Sequence, residues 1–458
     1  MLFTINPDEY NLISRSDENA DGDIRDKDIA YNYDLVDLNI INKRGDVIPL
    51  LEVYSSVEFT EDLFNNFVFG NITIVDPSGG DEKFVFSGGE EIHIKIRKNF
   101  ASDGISDILI SRDDFVVTKI KGYVDEEVSE YSKYTFEIAT KAFVKSFKKR
   151  VYKSWNPNTS FATALNEIYS ENLAVPGADN IAVEKIDTGT KEVLNIPGYT
   201  GHKAMQFIAK RASDESGMYL FYDRFLPSYY EGRKYNHFVM NLNTLKKQTA
   251  TKTIVYSPSL EAFRDLDSGS VLRANSFSRG NGFKHYENML GGLYSSRITE
   301  HDIMNQVIKE NDYNIFSDNE EKMNLFLAAD SLNLFTNFGV DEHPGEKFVP
   351  YGNRDDFVQA SIAMLRVRMQ TIQTVISGGN NMLGVGDVVN FRCRSKLMDE
   401  HSNSRYIEDK LFSGKYLITA VKHYLDRNSY QKRLELSRES LNINLDDIFT
   451  FKSDLIQD

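Results

Sequence analysis

A single cysteine, Cys393, stands among 458 residues, so no disulfide framework holds this chain together. That scarcity suits a reducing compartment. Cys393 lies in the strand-like run Asp387 to Arg394, where a half-buried thiol packs as a small apolar group. Proline is scarce as well, 10 in all, and 41% of residues are hydrophobic, which excludes a disordered composition. The 24 Tyr and 30 Phe lean toward strands. No apolar run reaches the ~20 residues that a membrane-spanning helix needs. The opening MLFTINPDEY lacks a basic region followed by an apolar core, so no signal peptide is expected. Cations are in deficit. The net charge of −15 argues against a grip on nucleic acid, which depends on clustered Lys and Arg. Such a surface lets DNA pass without adhering, because like charges repel, and it equally serves solubility.

Catalytic signatures are missing too. The eight histidines, at 93, 202, 237, 285, 301, 343, 401 and 423, never form an HxxxH or HxH pair. There is no G-x-S-x-G elbow and no phosphate loop. With 68 carboxylates, any pair proposed for glycoside hydrolysis would be arbitrary. These absences point to a non-enzymatic chain.

What is present is a sequence of strand-rich and mixed blocks. Residues 1–45 read as a polar, acidic N-terminal segment. Within it Asp17, Asn19 and Asp21 precede Gly22, with Ile24 and Asp28 after it, the spacing of an EF-hand calcium loop. Position 12 is Asp28 instead of Glu, position 9 is Arg25, and the flanks do not read as helices. Calcium is thus one reading of this stretch, and a solvated acidic loop is the other.

From 46 to 145 strand follows strand: Val47–Phe59, Phe67–Val75, Ile92–Arg97, Asp114–Val124 and Tyr131–Thr140. This predicts a small antiparallel barrel or sandwich. Five cations in nine residues follow, Lys145, Lys148, Lys149, Arg150 and Lys153, interleaved with Phe147 and Tyr152. They suit a solvated face or an acidic partner. Residues 146–196 form a small helical connecting subdomain. Its helix starts at Thr159 or Ser160 and carries Phe161, Ala164, Leu165 and Ile168 on one side. An α+β segment, 197–260, carries a second helix with Met205, Ile208 and Ala209, capped by Ser216-Gly217, and a strand from Met218. Residues 261–355 read as a helical insertion, with capping-box starts at Thr299/Asp302 and Ser317/Glu320. Residues 356–445 return to strands, and 446–458 are a tail. The last strands form a long hairpin: Tyr416 to Tyr424 on one side, Asp426-Arg427-Asn428-Ser429 as a polar turn, and Tyr430 to Ser437 on the other. Both faces of its first strand are largely apolar, which indicates burial on two sides.

Several of these stretches together resemble the baseplate central hub proteins of contractile-tailed bacteriophages. The run Ser413-Gly414-Lys415-Tyr416-Leu417-Ile418-Thr419-Ala420-Val421-Lys422-His423, then Tyr430 and Leu434-Glu435-Leu436-Ser437-Arg438, is similar to the final hairpin of those hubs. Asn381 through Gly386-Asp387-Val388 is similar to the strand-turn-strand before it. Phe147 to Val151 with the helix through Ile168, Tyr199 to Phe221, and the early strands Leu51–Ile74 and Glu90–Ile96 add to the likeness. It covers roughly 47–225 and 380–441; residues 1–45 and 260–355 align with nothing in that family. The resemblance implies a mainly β fold with α+β insertions: two tube-type antiparallel β-barrels related by pseudo-symmetry, plus helical insertions. It implies a homotrimer that adapts a sixfold tail tube to a threefold spike. The implied partners are the spike, tail-tube or baseplate ring proteins and the tape-measure protein, with DNA passing without specific binding. The implied location is the virion tail baseplate, assembled in the host cytoplasm. Tyr416, Ile418, His423 and Tyr430 are then packing or interface residues. Rival readings are the hub of a type VI secretion or phage-tail-like injection machine, a tail-associated peptidoglycan hydrolase, and a carbohydrate-binding β-sandwich.

Overall fold

The structure, a computed structural model, describes residues 33–76, 86–98, 108–123, 132–175, 181–186, 190, 193–212, 217–256, 271–282, 295–302, 306–314, 347–350, 364, 366–379, 381–394, 408–409 and 411–439. The first block comprises β1 (Tyr33–Ile41), β2 (Val47–Pro49), β3 (Tyr54–Asp62), β4 (Asn65–Asp76), β5 (Glu91–Lys98), β6 (Ile108–Tyr123) and β7 (Ser132–Thr140). They pair in the order β3-β4-β7-β6-β5-β1-β2, antiparallel throughout, and surround one core as a first barrel that stays open, since among the described residues neither β1 nor β2 pairs back to β3. Alternation sends Ile92, Ile94 and Ile96 of β5 inward, where they meet Phe59, Phe115 and Phe136 in one core. Strand β1 corrects the expectation of a polar segment over 1–45. Its Asp37 and Asn39 give it a polar look, yet Leu38 and Ile40, which alternate with them, are fully buried.

The connecting subdomain holds α1 (Lys141–Lys148), β8 (Arg150–Trp155), α2 (Phe161–Asn172), β9 (Ala182–Val183), β10 (Leu194–Thr200), α3 (Gly201–Arg211), β11 (Tyr219–Tyr230) and β12 (Arg233–Asn241). Helices α2 and α3 bury the apolar positions expected of them, Ala164, Leu165, Ile168, Met205, Ile208 and Ala209. Helix α3 ends at Arg211, before Gly217; Ser216 lies outside the described residues. Strand β11 then enters the space between the two barrels, so that Tyr222 joins the second core and Phe225 the first.

Helix α4 (Leu242–Lys247), N-capped by Asn241, leads to β13 (Lys252–Tyr256) and β14 (Val271–Gly282). A separate small sheet follows, β15 (Ser295–Asp302), β16 (Val307–Asn314) and β17 (Lys347–Pro350), before β18 (Gln370–Ser377), β19 (Val388–Cys393), β20 (Gly414–Asp426) and β21 (Tyr430–Arg438). Six of these strands close a barrel in the order β13-β14-β18-β21-β20-β19, with β19 returning to β13. The expected helical insertion over 261–355 is corrected at four places, one of them 347–350, which pairs parallel with 295–302. Residues 271–282 are a barrel strand, and 295–302 with 307–314 form an antiparallel pair. Thr299 therefore starts no helix: Ile298 pairs with Asn311, and strand pairing overrides a local capping pattern. The second capping box, at Ser317 and Glu320, lies outside the described residues. Nor is the second barrel wholly antiparallel. Strand β13 runs parallel to both β14 and β19, which the chain of residues 257–270 between β13 and β14 is long enough to permit.

The closing hairpin belongs to both barrels. The start of β20 pairs with β19 (Val388↔Leu417), and its later residues pair with β3 (Ala420↔Asp62 through Asp426↔Ser56). The change of partner occurs at a bulge between Ile418 and Ala420, where the Thr419 carbonyl accepts from Leu63 N–H at 2.8 Å. One continuous 13-stranded sheet results. At the hairpin tip Tyr33 of β1 donates its hydroxyl to the Asp426 and Ser429 carbonyls and packs edge-on against Tyr430. A side chain thereby ties β1 to the strand pair that β3 joins through its backbone.

Phe59 sits where the two barrels meet, stacked on Phe225 at 4.1 Å and opposite His423 in the register. Phe59→Ala is expected to cost about 3–5 kcal/mol, the range for emptying a packed aromatic site. Tyr152→Ala, at a residue 79% exposed, should shift stability by less than about 0.5 kcal/mol. Urea unfolding of the two variants checks both values.

Candidate functional site

Charged side chains are concentrated where the barrels join. Three of them continue an apolar phase. In β3 the inward series runs Val57, Phe59, Glu61; in β5, Ile92, Ile94, Ile96, Lys98; in β21, Tyr430, Lys432, Leu434. Glu61, Lys98 and Lys432 are all fully buried. Burying a charge without partners costs several kcal/mol, so each must be matched.

The matching centres on the loop between β18 and β19. Lys98 Nζ donates to the carbonyls of Gly378 (2.9 Å) and Asn381 (2.6 Å). Lys432 Nζ donates to Leu383 O (2.8 Å), Asn381 O (3.2 Å) and Asn381 Oδ1 (2.7 Å). Arg224 of β11 forms a bidentate pair with Asp387 at 2.8 and 2.9 Å. Two glycines let this loop approach so closely. A Cβ on Gly378 would stand 2.6 Å from the Tyr430 ring, and one on Gly384 2.7 Å from the Arg224 guanidinium.

Beside the lysines, Glu61 Oε1 lies 2.5 Å from His423 Nε2, and His423 Nδ1 lies 2.8 Å from the Tyr430 hydroxyl. Burial pushes His423 down to about 4, against the pull of Glu61, so its imidazole is neutral at pH 7. Burial also pushes Lys432 down to about 7, and Lys98, crowded by Lys432 as well, well below the usual lysine range. Further along, Arg112 holds Asp114 bidentately at 2.7 and 2.8 Å and donates to the carbonyls of Arg224 and Phe225. Asp223 Oδ1 and His237 Nδ1 face each other at 3.6 Å, and neither makes a hydrogen bond among the described residues. Burial raises the Asp223 carboxyl well above its ordinary value and lowers His237 to about 4, which favours the uncharged forms of both.

A Glu–His–Tyr series resembles a proton relay, but all three residues are at most 1% exposed, so no substrate reaches them. The arrangement can hold two barrels at one angle. Tyr416, Ile418, His423 and Tyr430 all lie in the interior of the chain. Tyr416 donates to Phe412 O and carries Arg438 over its ring at 4.6 Å. The basic run is divided rather than assembled. Lys145 donates to Ala174 O and Lys153 pairs with Glu167 and Glu171, while Lys148, Lys149 and Arg150 are exposed. Asp17, Asn19, Asp21 and Asp28 lie outside the described residues. Among the described residues no cluster of His, Cys, Asp or Glu is placed to hold a metal ion, and no helix is long and apolar enough to cross a membrane.

On the outer side of the same sheet, residues alternating with the core ones line a groove of about 750 Å³ running across both barrels. Two of its cations are paired, Lys422 with Glu58 at 3.0 Å and Arg368 with Asp62 at 3.7 Å and Glu435 at 4.0 Å, and Arg433 donates to Gln373 Oε1 at 2.9 Å. Burial raises the carboxyls of both Asp62 and Glu435.

Two measurements test the seam. His423 has a folded-state value below the 6.5 of the free side chain, so the unfolded chain takes up its proton first as pH falls. The stability that depends on neutral His423 is therefore complete above pH 6.5 and lost between 6.5 and about 4. His423→Gln removes that proton uptake, so the stability gap between wild type and variant should narrow by about 3 kcal/mol from pH 7 to 4. Denaturant titrations across this range read it. Arg224→Met, which strands Asp387, should cost about 3–5 kcal/mol, and Arg224→Met with Asp387→Leu distinctly less. A double-mutant cycle measures the difference.

No family model matches this chain, and no curated protein matches it. Among solved structures it is similar to a tail protein from Neisseria meningitidis, with a TM-score of 0.51 and 11% identity over 89% of this chain and 97% of that one. It is also similar to a 43 kDa tail protein of a prophage from Shewanella oneidensis, with a TM-score of 0.50 and 10% identity over 88% and 98% of the two chains. An Escherichia coli component of the type VI secretion system aligns over 89% of this chain and 78% of its own, at 10% identity and a TM-score of 0.42. With the first two, both tail proteins, this chain shares its mainly β fold.

Proposed function

We propose that this chain is the structural hub of a phage baseplate, a trimer that joins a sixfold tail tube to a threefold spike. The observation that carries the reading is β20, one strand that belongs to two barrels and fuses them into a single sheet. Two barrels locked at one angle in each of three chains make six similar units around a threefold axis, which answers a sixfold-to-threefold mismatch. A fold shared with tail proteins supports the same role. The groove across both barrels is the part of each chain that faces the central channel. Its Lys422 and Arg368 are held by Glu58, Asp62 and Glu435, and Arg433 donates to Gln373, which leaves few donors for phosphate, so DNA slides past a polar wall. The chain performs no catalysis in this role. It binds the spike on one side, tube or ring proteins on the other, and the tape-measure protein within.

Native mass spectrometry of the full chain, with and without the cognate spike protein, tests the proposal. A trimer that takes up a spike trimer is expected. A stable monomer that never joins the spike would overturn it, as would lysis of bacterial walls by the purified chain in a zymogram.

A further inference from the structure

The two buried lysines at the seam converge on one asparagine. Asn381 is 2% exposed, and Lys98 and Lys432 are fully buried. Lys432 Nζ stands 2.7 Å from Asn381 Oδ1. With a C=O bond of about 1.23 Å, the amide carbon then lies roughly 3.5 Å from the amine, at the edge of the separation from which reacting atoms combine. The amide is held in place from both ends: Leu383 N–H donates to Oδ1 at 3.3 Å, and Nδ2 donates to Ser377 O at 2.7 Å. Lys98 donates to the main-chain carbonyl of the same residue at 2.6 Å. Two ammonium groups on one asparagine repel in a dry interior, which favours one neutral amine with a free lone pair. The lowered values of both lysines agree. The Glu61 carboxylate lies within electrostatic reach of both amines.

We infer that Lys432 and Asn381 join in an intramolecular isopeptide bond. The Nζ lone pair of Lys432 attacks Asn381 Cγ, and the carbonyl electron pair moves onto Oδ1. The Leu383 N–H, which already donates to Oδ1, stabilises the oxyanion, as preorganised donors do elsewhere. A proton leaves Nζ and, relayed by Lys98, reaches Nδ2. The Cγ–Nδ2 bond breaks and ammonia departs. The product is a secondary amide between Nζ and Cγ, Lys98 is regenerated, and no oxidant or cofactor takes part. The bond turns a buried amine into an amide that cannot take up a proton, and so removes the penalty of a second buried cation beside Lys98. It also staples β21 to the loop that receives Arg224 and Lys98, linking positions 51 apart in the chain.

The test is the intact mass of the purified, denatured full chain, followed by tandem mass spectrometry of its peptides. A mass lower than the sequence mass by one ammonia, with a branched peptide joining Lys432 to Asn381, is expected. Lys432→Met and Asn381→Ala should each restore the full mass, and this readout does not require the variants to fold. A wild-type mass equal to the sequence mass would overturn the inference. So would an ammonia loss that maps elsewhere, for instance to Asn281-Gly282, or one that persists in Lys432→Met.

Discussion

The rest of this structure depends on β20 having two partners along one edge. A strand that hydrogen-bonds β19 at its start and β3 at its end cannot move with one barrel alone. Local opening of either barrel therefore breaks ladder bonds in the other, and the two behave as one cooperative unit. The bulge at Thr419 makes this geometrically possible, since an extra residue turns the strand from one sheet axis to the next.

Such a junction creates an electrostatic problem that the chain solves with carbonyls more than with counter-charges. Lys98 and Lys432 are received by Gly378, Asn381 and Leu383, all in one loop. Arg224 is received by Asp387 at the end of that loop. Because each of these side chains comes from a different strand, the seam reads β5, β11, β21 and the β18–β19 loop at once. Any change in the angle between barrels would separate donors from acceptors and leave buried charges bare, and that penalty resists rotation more strongly than apolar contact, which is non-directional.

Much of the fold was legible in the residues. Alternation in Ile92–Ile94–Ile96 placed β5, helical spacing in Phe161, Ala164, Leu165 and Ile168 placed α2, and Asp426 to Ser429 was a turn by composition. Where the fold departs from the local pattern, the cause is physical. Strand β1 hid behind Asp37 and Asn39 because a half-buried strand is polar at every second position. Thr299 offered a helix cap, but its neighbours found a strand partner instead. The seam itself left a signal that alternation alone exposes: Glu61, Lys98 and Lys432 stand on the apolar phase of their strands, where a charge calls for a partner.

The sequence by itself determined the class of the chain: strand-rich, without disulfides or apolar spans, with a long terminal hairpin buried on both faces and none of the compact motifs of catalysis. Those are local properties, carried by composition and by periods of two and 3.6 residues. Only the tertiary structure decided that the hairpin is shared between two barrels and that Glu61 meets His423 across 362 positions of chain. Long-range pairing is a choice among strands of nearly equal apolar character. It is settled by which arrangement satisfies every buried charge together, and no single stretch of residues carries that information.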